Sequence, residues 1–350
     1  MISTILLVIA CPAPQETPTL LRPVAVVGED GALHEGWEVV IRDGIIQAVG
    51  PELKTPPGGR SVRLGGILAP GFVDAWSWSG CDAAAESLRL SPALLAAEGV
   101  DVDSDVWEDR LKAGVTTVQL LPRPTNTLSG WAAIAASSGP DDGAPQIVES
   151  RSRQAVSLIP GRIADDRKGP LGLPGALDDL AENLQAVDGV GDAGVLALVE
   201  DAAGVDGFRS VAAGLPRAFV ALGDPGVYGG ILAGDLVALP VPGDSDWNPR
   251  GLEVWRRLHE GGAWIAFGTG NRSPERLRFA AMAFSRATGD PAAALASITS
   301  TAAAVAGRSD LGRIAPGARA DLVLWTAHPL DASARIIGVM TGGRMTQANR

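Results

Sequence analysis

Hydrophobic and polar positions follow two different patterns along the chain. Residues 23–27, 38–42 and 45–49 are short apolar or alternating runs, and an Asp-Gly pair between the last two is a typical hairpin turn. From residue 67 onward, apolar runs of strand length alternate with longer segments of helical spacing. The pattern predicts a small β unit near the amino terminus, followed by a larger region of alternating strands and helices.

The alternating region predicts parallel βαβ units. Its predicted strands are residues 67–78, 115–121, 194–199, 217–222, 236–241 and 263–268. Its predicted helices are residues 92–112, 177–187, 205–213, 252–260, 274–288 and 290–306. Such a series over ~240 residues favours a (β/α) barrel over a small open sheet. Residues 122–175, rich in Gly, Pro, Ser and Asp, are predicted to form long loops, and residues 321–326 and 334–341 return to strand character.

Composition excludes several classes of function. The chain has 350 residues, of which 46% are hydrophobic and 20% charged, which is typical of a folded globular protein. A formal net charge of −11 argues against nucleic acid as a partner, because phosphate binding needs a basic surface. Two cysteines, Cys11 and Cys81, cannot build a disulfide framework or a cysteine-rich zinc site. The histidines His34, His259 and His328 are scattered, which weighs against a histidine-ligated metal.

The first 19 residues form a separate segment, which we interpret as a signal or lipobox sequence with a spacer. Residues 5–10 are apolar but far shorter than the ~20 residues of a membrane span, and Cys11 follows them as in a lipid-modified protein. This indicates an exported protein, periplasmic or lipid-anchored, whose only membrane contact would be an anchor at Cys11. A cytoplasmic location is the alternative, because no Lys or Arg precedes the apolar run.

Four motifs occur in order along the chain: VIRDGIIQAVG at 40–50, LAPGFVDA at 68–75, GVTTV at 114–118 and LGRIAPGARADLVLW at 311–325. Together they resemble segments of the amidohydrolase superfamily, and in particular its imidazolonepropionase-like branch. The resemblance implies an α/β fold with a distorted TIM-type (β/α)8 barrel, the metal-dependent-hydrolase-like domain, at residues 67–309. It also implies a small composite β-sandwich domain formed by the N- and C-terminal segments, residues 20–66 and 310–346.

The metal-ligand positions implied by this resemblance carry the wrong residues. The family binds metal through a His-x-His pair on the first barrel strand and uses a late catalytic Asp. Here the pair is replaced by Trp76 and Trp78, and the Asp by Gly270. An indole offers only an N–H donor, so a tryptophan cannot serve as a ligand. No histidine occurs near residues 198–201 or 221–224, where further ligands are expected. We therefore expect a degenerate metal site and no cofactor.

Four acidic residues remain as candidates for catalysis. Asp74 has the same strand parity as Trp76 and Trp78, which predicts that all three face the barrel interior. Glu200, Asp201 and Asp224 follow predicted strands and would gather at the barrel mouth. Such a site could bind a divalent metal (Zn or Mg) or carry out acid–base chemistry. The simpler interpretation, which we favour, is that these are loop acids in a chain that has 40 Asp and Glu residues.

These observations support three hypotheses. The first is an amidohydrolase-like protein that is non-catalytic and acts as a structural or regulatory partner, in a homo- or hetero-oligomer with an amidohydrolase relative. The second is a hydrolase of non-peptide C–N bonds, in a cyclic or acyl amide, with a relocated acidic site. The third is a ligand-binding module in which Trp76 and Trp78 form an aromatic wall. We favour tryptophans that plug a vacated pocket, because packed interiors do not tolerate large voids.

Overall fold

The computed structural model describes residues 17–83, 90–140, 143–159, 172–222, 225–243 and 249–348. The predicted signal or lipobox segment with Cys11, and the candidate Asp224, lie outside these ranges. Within the described ranges, none of the helices is both long enough and apolar enough to cross a bilayer.

The described part of the chain is a mixed α/β fold. Its strands are β1 (Thr19–Arg22), β2 (Ala25–Val27), β3 (Leu33–Glu35), β4 (Trp37–Arg42), β5 (Ile45–Pro51), β6 (Arg60–Arg63), β7 (Ile67–Pro70), β8 (Phe72–Ser77), β9 (Val115–Leu120), β10 (Leu128–Trp131), β11 (Ala133–Ala136), β12 (Gln146–Glu149), β13 (Gln154–Ser157), β14 (Val195–Val199), β15 (Arg217–Ala221), β16 (Leu236–Pro240), β17 (Trp264–Gly268), β18 (Leu322–Trp325), β19 (Ile336–Thr341) and β20 (Arg344–Ala348). Its α-helices are α1 (Val106–Lys112), α2 (Leu173–Asn183), α3 (Val190–Ala193), α4 (Ala202–Val211), α5 (Pro249–Glu260), α6 (Arg276–Thr288), α7 (Pro291–Ala296) and α8 (Ser300–Val305).

Two sheets from both ends of the chain form the sandwich. One has the order β5-β4-β1-β6 and the other the order β20-β19-β18-β7-β2-β3. β18 pairs antiparallel with β7, so C-terminal strands complete a sheet that N-terminal strands begin. Leu21, Val39, Ile46 and Leu322 pack between the sheets as one buried apolar cluster. Neither segment could bury this cluster alone, which is why the sequence pattern at the two ends is needed together.

The remaining strands form the barrel. β13, β14, β15, β16 and β17 are parallel neighbours, and so are β8 and β9. β17 meets β8 through a parallel bridge between Ser77 and Gly270, where the Trp78 amide donates to the Gly270 carbonyl at 3.1 Å. The barrel therefore closes beside the residues that the sequence singles out as degenerate metal-ligand positions.

At one place in the described barrel, neighbouring strands pair antiparallel. β11 pairs antiparallel with β9, and β10, just before it in the chain, pairs antiparallel with β13. The prediction of long loops over residues 122–175 is therefore wrong where the structure describes this segment. Small residues such as Ala133, Ala135 and Ala136 are fully buried in these strands. Alanine has little strand preference of its own, so packing rather than propensity sets this structure.

Two predicted helices are shorter than expected. Only α1 and a short 3₁₀ turn at Ala96–Gly99 are helical within 92–112. The backbone before that turn pairs with β10 and not with a helical neighbour, because the Leu94 carbonyl accepts from the Trp131 amide at 2.7 Å. The predicted helix 290–306 is split into α7 and α8, between which the Ser297 and Thr299 hydroxyls donate to backbone carbonyls.

The predicted strand 67–78 is likewise two strands in two different domains. β7 lies in the sandwich sheet and β8 in the barrel, although the prediction assigned all of these residues to the barrel. The break falls at Gly71, where a Cβ atom would lie 2.2 Å from Thr116 Oγ1. A side chain at this position would collide with β9, so glycine lets the two strands meet at close range.

Candidate functional site

A bulge in β8 determines which side chains face the barrel interior. Asp74 pairs with Val118 and Ser77 pairs with Leu120, so β8 holds one more residue than β9 between these pairs. Val73 and Ala75 before the bulge, and Trp76 and Trp78 after it, all pack in the interior apolar cluster. An extra residue reverses the alternation of a strand. The prediction that Asp74 shares a face with Trp76 and Trp78 is therefore wrong.

Trp76 and Trp78 fill the interior near the point where the barrel closes. Their side chains lie edge to face with ring centroids 5.1 Å apart, and the residues are only 3% and 8% exposed. The Trp78 indole N–H donates to the Pro122 carbonyl at 3.2 Å. The Trp76 indole N–H is buried and has no hydrogen-bond partner among the described residues. This burial favours a plug over an aromatic wall open to a ligand.

The ring of Trp76 lies directly against two glycines, one at the end of β17 and one two residues further along the chain. A Cβ atom on Gly268 would lie 2.1 Å from Trp76 Cδ1, and one on Gly270 would lie 2.9 Å from Trp76 Cη2. Gly270 also has a φ of +60°, which a side chain disfavours. The indole thus occupies the space into which any side chain at 268 or 270 would extend.

The residues at these positions do not fit the metal that the resemblance implies. An indole supplies no lone pair for a metal, and Gly270 supplies no carboxylate. Over the ranges that the structure describes, no three His, Cys, Asp or Glu side chains come close enough together to hold a metal ion. We therefore derive no catalytic step through a metal at this site.

Asp74 is fully buried and lies in a polar network between β8, β17 and α1. Its carboxylate accepts from the Thr269 amide at 2.9 Å and from the Thr269 hydroxyl at 2.5 Å. Arg110 of α1 is also fully buried and donates to Ser77 Oγ at 3.3 Å and to the Ser79 carbonyl at 2.8 Å. The network joins the two strands that close the barrel to the helix that covers them.

Burial dominates the electrostatics of this network. It raises the pKa of Asp74 to about 6, although the positive charge of Arg110 and the hydrogen bonds from Thr269 act in the opposite direction. Burial also lowers the pKa of Arg110 to about 10. Because the pKa of Asp74 is higher in the folded state than in the unfolded state, its protonation stabilises the fold. This stabilisation is complete below about pH 4 and is lost as the pH rises through about 6.

Glu200 and Asp201, the other predicted acids that the structure describes, do not join Asp74. Asp201 is exposed and caps the N-terminus of α4, where its carboxylate accepts from the Gly204 amide at 2.7 Å. Glu200 is exposed after the end of β14. The capping bond gives Asp201 a structural role. Within the described ranges, neither exposed acid is hydrogen-bonded to the buried carboxylate of Asp74.

Sequence reasoning missed Arg110 and Thr269, which are the partners of Asp74. Arg110 follows Trp107 by three positions on α1, and its guanidinium lies 4.6 Å from the Trp107 ring centroid. That spacing puts an arginine on the apolar face of a helix, which is a signal of a buried cation. Thr269 offers no comparable signal, because its contact with Asp74 depends on how the barrel closes.

The comparisons with known proteins agree with this architecture. A family model described as "Amidohydrolase family" matches residues 247–346. An amidohydrolase structure from Thermotoga maritima has a TM-score of 0.77 at 20% identity and covers 95% of this chain and 100% of its own. The structure of an enamidase, described as a member of the amidohydrolase superfamily, has a TM-score of 0.62 at 17% identity, covering 95% and 96%.

A curated relative matches over a short segment. The imidazolonepropionase of Cereibacter sphaeroides is 57% identical over 47 residues, which are 13% of this chain and only 12% of that protein. This short match and the family model over the carboxyl-terminal part of the chain point in the same direction as the fold of the described residues. The chain has the fold of the amidohydrolase superfamily structures, and its residues 247–346 match the amidohydrolase family model.

Proposed function

We propose that this protein is a non-hydrolytic amidohydrolase homologue that acts as a structural or regulatory partner of a metal-competent relative. The observation that carries the proposal is the contact of Trp76 with Gly268 and Gly270. Loss of a single ligand would leave a defective metal site with its space still open. Here the indole of Trp76 stands in place of a ligand and also fills the neighbouring space. A barrel that fills its own mouth retains its outer surfaces for binding another protein.

The other two hypotheses, a hydrolase with a relocated site and a ligand-binding module, have less support. A hydrolase with a relocated acidic site would need a pair of carboxylates facing one substrate. Asp74 instead is buried among Thr269, Ser77 and Arg110, and Asp201 caps a helix. A module that binds ligands between Trp76 and Trp78 would need an open ring face, and both residues are buried.

Metal binding by the purified protein tests the non-hydrolytic part of the proposal. The full chain is purified without chelator, its zinc, manganese, iron and magnesium contents are measured, and zinc is then titrated by calorimetry. Two partly exposed His–Asp pairs, His34 with Asp30 and His259 with Asp290, could hold adventitious zinc. The His34→Ala/His259→Ala variant is therefore the matched control. We expect no stoichiometric metal in this control; one metal per chain that survives both substitutions would overturn the proposal.

Co-expression tests the partner role. The chain is produced together with a metal-competent superfamily member from the same organism, and the mixture is analysed by size-exclusion chromatography with light scattering. We expect a stable complex, or a change of at least about 2-fold in the kcat/KM of the relative. Independent elution combined with unchanged kinetics, for each such relative in the genome, would refute the partner role even if the chain binds no metal.

A further inference from the structure

A cavity of about 480 Å³ lies between the barrel helices and the sandwich, and none of the residues discussed at the barrel mouth lines it. α1 contributes Lys112, α6 contributes Arg278 and Phe279, and the floor is Trp325 at the end of β18. A volume of this size is within the ~300–1,000 Å³ range of small-molecule sites. The cavity is therefore large enough for a ligand with the dimensions of one aromatic ring and a short polar arm.

The charge of this cavity is opposite to that of the protein. Lys112, Arg278 and Arg335 line it, with Glu275 as the single carboxylate, in a chain whose formal net charge is −11. The Lys112 ammonium pairs with Glu108 and Asp109 of its own helix, but all three side chains are at least half exposed. Surface pairs of this kind are weak, so they do not prevent the ammonium from turning to a ligand.

Arg278 and Arg335 have no carboxylate hydrogen-bonded to them among the described residues. The Arg278 guanidinium stacks on the Trp325 ring, 5.0 Å from its centroid, and donates to the Pro329 and Asp331 carbonyls. The Arg335 side chain is exposed, and no ion pair or hydrogen bond of its guanidinium occurs within the described ranges. The Asp331 carboxylate acts on Arg278 through its charge, without a hydrogen bond to it. The Arg335 guanidinium is thus left without a paired anion among the described residues.

The other wall of the cavity is apolar. Phe279 is 52% exposed, which is unusual for so large an apolar side chain, and Ile336 and Ala334 extend the same surface. The indole N–H of Trp325 is buried and has no hydrogen-bond partner in the part of the chain that the structure describes. An exposed ring beside cationic side chains is an arrangement that can bind a molecule with an apolar body and a negatively charged end.

We propose that this cavity binds a small organic carboxylate with an apolar body the size of an aromatic ring. The carboxylate lies between Arg335 and Lys112, and the apolar body packs against Phe279 and Ile336. Glu275 opposes the binding of any anion here. The proposal concerns a site on the outside of the barrel and does not depend on whether the protein is catalytic.

A matched pair of probes tests this proposal on the full chain. 4-Fluorophenylacetate and the neutral 4-fluorophenylacetamide have nearly the same shape, and fluorine NMR follows the binding of both. We expect the anion to bind at least about 5-fold more tightly than the amide, by a charge-assisted contact that weakens as salt screens it. Equal affinity of the two probes, or no binding of either up to about 20 mM, would overturn the proposal.

Single substitutions then locate the site by opposite effects. Arg335→Gln is expected to weaken the binding of 4-fluorophenylacetate about 5-fold, whereas Glu275→Gln is expected to strengthen it about 2-fold, because each removes one exposed charge. Phe279→Ala is expected to weaken both probes alike. Arg257→Gln, an exposed arginine on α5 that does not line the cavity, is the control and should change neither affinity. Identical effects of the Arg335 and Arg257 substitutions would refute this site. All four variants leave the buried core residues unchanged, so we expect them to fold.

Discussion

The contact between Trp76 and Gly268 can be tested by overpacking it with one substitution and then removing the tryptophan ring with a second. Gly268→Ala adds one methyl group where the backbone itself tolerates alanine. The added Cβ would lie 2.1 Å from Trp76 Cδ1 and 2.4 Å from Nε1, well inside van der Waals contact. The ring must shift within a packed interior, so we expect a cost of ~3 kcal/mol in the free energy of unfolding, at the upper end for overpacked cores.

The same methyl group should be harmless once the ring is removed. Trp76→Ala alone is expected to cost ~3–5 kcal/mol, through lost burial and the void that remains. In that background Gly268→Ala has room, and a strand glycine replaced by alanine regains ~0.5–1 kcal/mol. The two substitutions are thus expected to couple by ~3.5–4 kcal/mol, with the double variant more stable than the sum of the single effects predicts.

Guanidinium unfolding followed by far-UV circular dichroism measures these free energies without relying on tryptophan fluorescence. Gly71→Ala is the matched control, because Gly71 lies just before β8, away from the Trp76 ring, and its Cβ would lie 2.2 Å from Thr116 Oγ1 on β9. Its cost should be the same with and without Trp76. If Gly268→Ala costs the same in both backgrounds, to within ~0.5 kcal/mol, the plug is not packed as described.

Three further predictions concern polar groups. The stability of the wild type relative to Asp74→Asn should fall by ~2 kcal/mol from about pH 4 to about pH 7, because the pKa of Asp74 is raised to about 6; a pH-independent difference in denaturant titrations would contradict this. Arg153 is buried and donates to the Val305, Ala304 and Ala193 carbonyls, so Arg153→Met should cost ~3 kcal/mol, and a loss below ~1 kcal/mol in the same assay would refute this role. Asp201→Ala should cost ~1 kcal/mol and Asp201→Asn only a few tenths, because asparagine also caps helices; equal losses would exclude a capping role.

Sequence patterns were sufficient where one local signal determines one element. The Asp-Gly pair at 43–44 has positive φ angles of 50° and 75° and joins β4 to β5, as a hairpin turn requires. The predicted strands 115–121 and 217–222 agree with β9 and β15 to within one residue. Apolar runs of strand length bounded by glycine or polar residues are recognisable without tertiary information.

Patterns failed where tertiary packing decides the structure. The buried strands β10 and β11 are built mostly from small residues, which carry neither a strand pattern nor strand propensity. The bulge in β8 depends on the register with β9, so parity counted along the sequence placed Asp74 on the wrong face. Both errors arise because a single sequence does not specify which neighbour a strand will have.

A single sequence also does not show that Trp76 and Gly270, at two of the expected metal-site positions, are in contact. The sequence shows a tryptophan where a ligand is expected and a glycine where an acid is expected, as two separate losses. In the fold, Trp76 packs on Gly270, so each residue makes sense only with the other. Trp76→His alone would leave a void, and Gly270→Asp alone would collide with the ring. We therefore expect that neither single reversal restores a ligand set without a cost in stability.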